Sequence, residues 1–308
     1  MDFASLAPLP GGWSGQTFVA EAGGERTVVR IYAAPSDRGP RGHEVDAALL
    51  RLVRGLLPVA EVLEVRQPDP VGELPALLVT SFLPGVRGDE IVGDLGEERL
   101  ARLGSHLGAL LADLGGMPMP RAGLFVDGDL TIAEFPGLDD LAGWVDGHAE
   151  RLDRFTPDEL TGLREVAVDA QALLDTVHRV CLVHSDVNPK NLLIDPDSLA
   201  VTGLVDWEYS HAGHPFTDLG NLLRFDRAPA YVDAVLTAYA DRRGGSPSSA
   251  LDLARAADLW ALVELASRPL DNLVTRLAHE LLRAIAGARD VHAVQSGVAS
   301  WTGGAPRA

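Results

Sequence analysis

Residues 182–195 read LVHSDVNPKNLLID, and their polar positions carry most of what can be inferred about this chain. His184, Asp186 and Asn191 stand at the spacing H-x-D-x-x-x-x-N, and Lys190, inside the same run, is the only lysine in 308 residues. Downstream, Asp206 closes the apolar run LAVTGLVDW (199–207). The short apolar runs CLVH (181–184) and 199–207 predict strands on either side of the segment, which puts its polar residues on loops between strands. Such a set has a chemical use. A carboxylate within reach of a hydroxyl takes its proton, while an amide oxygen and a second carboxylate suit Mg²⁺, which neutralises nucleotide phosphates.

Upstream, QTFVAEA (16–22) and RTVVRIYA (26–33) are β-branched runs joined across Gly23, Gly24 and Glu25, a hairpin pattern. Alternation puts Arg30 on one face with Val28 and Tyr32, and Thr27, Val29 and Ile31 on the other. In HEVDAALLRLVRGLL (43–57), Val45, Ala48, Leu49, Leu52 and Val53 follow helical spacing, and Glu44 opens the helix. VAEVLEV (59–65) and LPALLVTSF (74–82) read as further strands. From residue 96 onward the periodicity is helical over 96–114, 138–154, 157–178 and several segments between 215 and 288. The expectation is an α+β, two-lobed chain: a β-rich lobe over 1–80, a hinge at 81–85, a mostly helical lobe over 86–292 and a frayed tail over 293–308. No internal repeat is visible.

The formal charge is −18. Counted along the chain it is −3 over residues 1–85 and −15 over residues 86–308. That balance argues against nucleic acid, whose backbone needs dense cations, and favours a cationic ligand. A single cysteine, Cys181, excludes a disulfide framework. The start MDFASLAPLPGGW lacks the features of a signal peptide and no apolar run reaches membrane-spanning length, so a cytoplasmic protein with no membrane partner is expected.

LVHSDVNPKNLLID resembles the catalytic loop of the aminoglycoside phosphotransferase-like branch of the protein-kinase-like fold. GLVDWEYSHAGHPFTDLGNLLR (203–224) resembles the metal-binding strand of that branch and the acidic helix start that follows it. The resemblance implies a bilobal kinase-like fold that uses ATP or GTP with Mg²⁺. Asp186 would be the catalytic base, Asn191 and Asp206 the metal ligands, and His184 and Asp218 supports of the loop. Arg30 would contact phosphates and pair with Glu44. Gly11, Gly12, Ser14 and Gly15 in LPGGWSGQTF would cover the nucleotide, with Ser81 and Leu83 beside it at the hinge. Two departures stand out: arginine at 30 where protein kinases have lysine, and serine at 185 where the branch commonly has glycine. The expected substrate is a small polycationic antibiotic, aminoglycoside or tuberactinomycin-type. Its ammonium groups would be held by acids drawn from Glu208, Asp226, Asp258, Glu264 and Asp271. Alternatives are a metabolic kinase for choline, homoserine or a sugar, a macrolide kinase, or an inactive nucleotide-binding relative.

Lys190 lies next to Asn191, and its flexible ammonium is expected to follow the phosphoryl group during transfer. His211 and His214 show no third ligand and are read as locally bonded. Cys181 is read as inert core.

Overall fold

A computed structural model describes residues 5–9, 16–33, 38–69, 74–135, 140–226 and 228–294. Strands β1 (Ser5–Pro8), β2 (Gln16–Ala22) and β3 (Glu25–Tyr32) run antiparallel, the last two turning over Gly23 and Gly24. Helix α1 (Gly42–Val53) follows, then β4 (Val62–Arg66) and β5 (Ala76–Ser81). The five strands form one sheet in the order β1-β2-β3-β5-β4, with β3 at its centre. Helix α1 buries Val45, Leu49, Leu50 and Val53, whereas Leu52, placed on the apolar stripe by its spacing, is exposed. The buried face is rotated from the one the spacing implies, with Ala47 and Leu50 buried in place of half-buried Ala48 and exposed Leu52.

Beyond Ser81 the chain crosses to β6 (Val86–Arg87) through Gly85, whose φ of +121° is a conformation side chains rarely adopt. A Cβ at Gly85 would also strike the Thr202 hydroxyl, which donates to the Pro84 carbonyl at 2.6 Å. The remainder comprises α2 (Gly88–Ile91), α3 (Glu97–Leu114), β7 (Leu124–Phe125), β8 (Ile132–Ala133), α4 (Leu141–His148) and α5 (Pro157–Leu174). After these come β9 (Cys181–Val183), β10 (Leu192–Ile194), β11 (Val201–Leu204) and β12 (His211–Gly213). Helices α6 (Thr217–Leu223), α7 (Pro229–Arg243), α8 (Pro247–Ala266) and α9 (Leu273–Ala288) complete the chain.

Helix α4 is shorter than its predicted span of 138–154: it is capped by Asp140, whose carboxylate accepts from Gly143 N at 2.6 Å, and it ends at His148. Helices α3 and α7 approach closely because α3 presents Gly104 and Gly108 to α7. A Cβ at Gly104 would lie 2.8 Å from the Tyr231 carbonyl, and one at Gly108 would meet the Val235 carbonyl.

One apolar core runs from α1 and β5 (Val45, Leu49, Leu78) into the strands around the quoted loop (Leu182, Leu192, Leu204, Trp207). A second joins α4, α5, α8 and α9. The described short strands of the helical lobe form three ribbons, of which β11-β10-β6 and β12-β9 hold the loop between β9 and β10 at its two ends and β7-β8 is the third. Cys181 sits in β9 fully buried, and burial pushes its thiol up to about 12. No described helix is long and apolar enough to cross a membrane.

Candidate active site

The loop leaves β9 at His184, whose backbone N–H donates to Asp218 Oδ2 at 2.9 Å; that of Ser185 donates to Asp218 Oδ1 at 2.7 Å. Asp218 lies in the first turn of α6 and is buried. Burial pushes its carboxyl up to about 6, against the pull of the two N–H donors. The imidazole of His184 is also buried, its Nε2 3.0 Å from the Val205 carbonyl and its Nδ1 3.3 Å from the Asp186 amide nitrogen. Those neighbours assign the proton to Nε2, which donates to Val205 O, and leave Nδ1 as acceptor. Burial holds the ring neutral, with a pKa of about 4. Ser185 adopts φ +66°, the left-handed conformation that glycine takes at least cost, which gives the departure at this position a structural consequence.

Asp186 is oriented by two amides. Asn188 Nδ2 donates to its Oδ1 at 3.0 Å and Asn191 Nδ2 to its Oδ2 at 2.7 Å. Asn191 also donates to the Asp186 carbonyl at 2.9 Å. Burial raises the carboxyl of Asp186, opposed by nearby Arg224 and by the two amides. Asn188 was not singled out from the sequence. It caps the short turn Pro189–Asn191, its Oδ1 accepting from Lys190 N at 2.9 Å. The side chain of Lys190 is exposed.

Asp206 ends the strand side of the site in a left-handed conformation, φ 64° and ψ 67°. Burial pushes its carboxyl up to about 6, with Arg30 opposing and with Glu208 and Asp186 adding to the rise. Arg30 Nη1 donates to Asp206 Oδ1 at 3.1 Å and Nη2 to Glu208 Oε2 at 2.6 Å. The expected pair of Arg30 with Glu44 is not formed. Successive helical residues turn by about 100°, so Glu44 and Asp46 face opposite ways. Asp46 looks toward β3, lying 3.8 Å from Arg30 and accepting from Tyr32 Oη at 2.7 Å. Glu44 instead takes Arg41 at 2.6 Å and Gln67 at 2.9 Å.

The five acids proposed to hold a cationic substrate each have bonding partners within the protein. Glu208 is bridged to Arg30. Asp258 is a correction: it is 4% exposed, and Arg224 Nε and Nη2 reach it at 2.9 and 2.7 Å, so it is the carboxylate of a buried ion pair joining α6 to α8. Asp226 is likewise buried, its Oδ1 accepting from Ala228 N at 3.0 Å ahead of α7. Glu264 accepts from His148 at 2.8 Å and Arg268 at 3.3 Å. Asp271 is exposed beside Asn272. In the segment read as a hinge, Ser81 bonds to Glu61 through N and Oγ at 2.8 and 2.9 Å, and the Leu83 side chain lies over Gly203 of β11. Gly11, Gly12, Ser14 and Gly15 lie outside the described residues.

Asn191 commits its amide hydrogens to Asp186, which leaves its oxygen for a cation. Together with Asp206, whose carboxyl is raised by burial and by nearby Glu208 and Asp186, this is an oxygen-only donor pair, and that fits a hard divalent ion. Among the described residues no group of three or more His, Cys, Asp or Glu is placed to hold a metal ion by itself.

The sequence profile described as APH, phosphotransferase enzyme family, matches residues 5–259. Among solved structures, the chain is similar to a thermostable mutant of aminoglycoside phosphotransferase APH(4)-Ia in ternary complex with ADP and hygromycin B, at TM-score 0.62 and 17% identity over 92% of both chains. It is also similar to the GDP complex of aminoglycoside 2'-phosphotransferase-IIIa, at TM-score 0.65 and 15% identity over 92% of this chain and 93% of that one. At such identities the likeness establishes the fold. Of curated proteins, acyl-CoA dehydrogenase family member 11 of Mus musculus is 42% identical over 53 residues, 17% of this chain and 7% of that protein. The match therefore spans only a small part of that relative. With the profile covering most of the described residues and the bilobal α+β fold shared with antibiotic kinases, the chain belongs to the phosphotransferase enzyme family, enzymes that transfer a phosphoryl group to a hydroxyl.

Proposed function

We propose that this enzyme transfers the γ-phosphoryl group of a nucleoside triphosphate, ATP or GTP, to a hydroxyl of a small cationic molecule, with an aminoglycoside or tuberactinomycin-type antibiotic as the first candidate and resistance as the outcome. One observation carries it: the carboxylate of Asp186 is aimed by Asn188 and Asn191, and Asn191 is also tied to Asp186 through its backbone carbonyl. In this scheme Asp186 accepts the hydroxyl proton as the substrate oxygen bonds to the γ-phosphorus. The bond from that phosphorus to the β–γ bridging oxygen breaks, and the nucleoside diphosphate leaves with the electron pair. Asn191 and Asp206 would hold Mg²⁺, which when bound offsets phosphate charge. Arg30, on β3, would fork onto phosphate oxygens.

The structures similar to this chain that contain ADP, hygromycin B or GDP support a nucleotide and a small acceptor. The surplus of −15 after the hinge supports a cationic one. A second reading, a metabolic kinase with a smaller or neutral acceptor, is favoured by the internal engagement of Asp258 and Asp226, which removes two of the acids proposed for ammonium groups.

Nucleotide turnover measured across aminoglycosides, tuberactinomycins, macrolides, choline, homoserine and sugars separates the two. Stimulation by cationic antibiotics, with a KM that rises with salt as charges are screened beyond about 8 Å, supports the first. Stimulation confined to a neutral or metabolic acceptor supports the second. Absence of magnesium-dependent transfer to any acceptor, together with unchanged nucleotide affinity in Asp206→Ala, overturns both.

A further inference from the structure

The loop between β3 and α1 carries an arginine that no motif singles out. Arg38 is almost fully buried at the foot of α1, its side chain 8% exposed. Its Nε donates to the Glu208 carbonyl at 2.6 Å, and its Nη2 to the Ser210 carbonyl at 2.8 Å and to the Trp207 carbonyl. Its remaining arm, Nη1, reaches Asp46 Oδ1 at 3.0 Å. A single guanidinium thus grips the three-residue turn that begins immediately after Asp206 and fastens it to a buried carboxylate of α1.

We propose that Arg38 is a positioning residue for metal-nucleotide binding: by clamping the Trp207, Glu208 and Ser210 carbonyls to Asp46, it holds Asp206 in the conformation in which its carboxylate faces the site. Asp206 needs such a device. A non-glycine residue at φ 64° persists only where its surroundings over-determine it, and the turn that follows exposes several backbone acceptors at once. A planar fork with donors on separate arms satisfies them together, whereas an ammonium on a flexible stem does not. Asp46 is the anchor because it is itself fixed from the sheet by Tyr32 Oη at 2.7 Å. The placement of α1 against the sheet is thereby linked to the position of Asp206, a link that runs from Asp46 through Arg38, with Arg30 bridging the same two carboxylates, and not through Glu44.

The proposal rests on the assignment of Asp206 as a metal ligand, so the test reads metal binding directly. Mn²⁺ is titrated, with paramagnetic resonance detection of the free ion, into the full chain holding a non-hydrolysable nucleotide, for the parent, Arg38→Gln, Arg38→Lys and Asp206→Ala. Alongside, nucleotide affinity is measured without metal, and kcat with it. The expected result is a loss of roughly tenfold or more in Mn²⁺ affinity and a comparable fall in kcat for Arg38→Gln, metal-free nucleotide affinity within about twofold of the parent, and only partial recovery in Arg38→Lys. If Arg38→Gln fails to fold, Arg38→Lys carries the test, since it keeps the charge beside Asp46 and loses the fork. Mn²⁺ affinity equal to the parent in a folded Arg38 variant overturns the proposal, whatever its melting temperature, because Arg38 would then be only a fold tether. Parent and Asp206→Ala binding Mn²⁺ alike would instead overturn the assignment of Asp206 beneath it.

Discussion

Acidification should weaken this fold through His184, and by an amount the structure sets. The ring is fully buried, donates from Nε2 to Val205 O and accepts at Nδ1 from the Asp186 amide. A proton on Nδ1 would turn that acceptor into a donor facing a donor, inside the core. Burial, with the nearby charge of Arg38 adding to it, lowers its pKa from 6.5 to about 4. The unfolded chain takes the proton more readily than the folded one, so the contribution is complete above pH 6.5 and is lost progressively as pH falls toward 4. At about 1.4 kcal/mol per unit, the full loss is about 3 kcal/mol. Between pH 7.5 and 5 it amounts to about 2 kcal/mol. Other groups titrate over the same range. Asp218, raised to about 6, works in the opposite direction, its contribution growing as pH falls through 6. The quantity to measure is therefore a difference. Urea unfolding of the parent and of His184→Gln at a series of pH values should give stability curves that converge by about 2 kcal/mol on going from pH 7.5 to 5. Parallel curves would mean that His184 titrates normally, and the picture of a buried neutral imidazole bracing the loop would be wrong.

Asp186→Asn should lower kcat by about 10² to 10⁴ at an unchanged melting temperature; near-parental turnover sinks the assignment of the base. Lys190→Ala should lower kcat more than it raises the nucleotide KM, and a parental kcat at saturation would make Lys190 merely exposed. Ser185→Gly should stabilise the fold by about 1 kcal/mol by relieving a left-handed serine, read by urea unfolding, and destabilisation would refute the strain. Asp258→Ala should cost about 3–5 kcal/mol by removing the buried carboxylate that pairs with Arg224. A loss under about 1 kcal/mol would show that the pair is solvated.

The set of His184, Asp186, Asn191 and Asp218 was legible because its members lie on one loop and one helix start, so their spacing encodes their geometry. The hairpin of β2 and β3 and the span of α3 were legible for the same reason. What escaped was phase and partnership. Alternation put Arg30 on the correct face of β3, but choosing between Glu44 and Asp46 required the rotation of α1 about its axis. Arg38 left no trace because its partners on the turn are carbonyls, which every residue possesses. Charge counting marked Asp258 as a substrate acid, when the nearby Arg224 had already engaged it.

The burial of Cys181 has a practical consequence. The chain has one thiol, in the strand that leads into the loop, and one lysine amine, exposed within the loop itself. A maleimide should therefore react only when β9 opens, its rate reporting that opening against the native population, while an amine-reactive dye at mildly alkaline pH has a single side-chain target beside Asp186. The unmodified sequence thus provides two chemically orthogonal handles on the loop between β9 and β10, one that reports its breathing and one that can carry a reporter of nucleotide arrival, with no engineered residue.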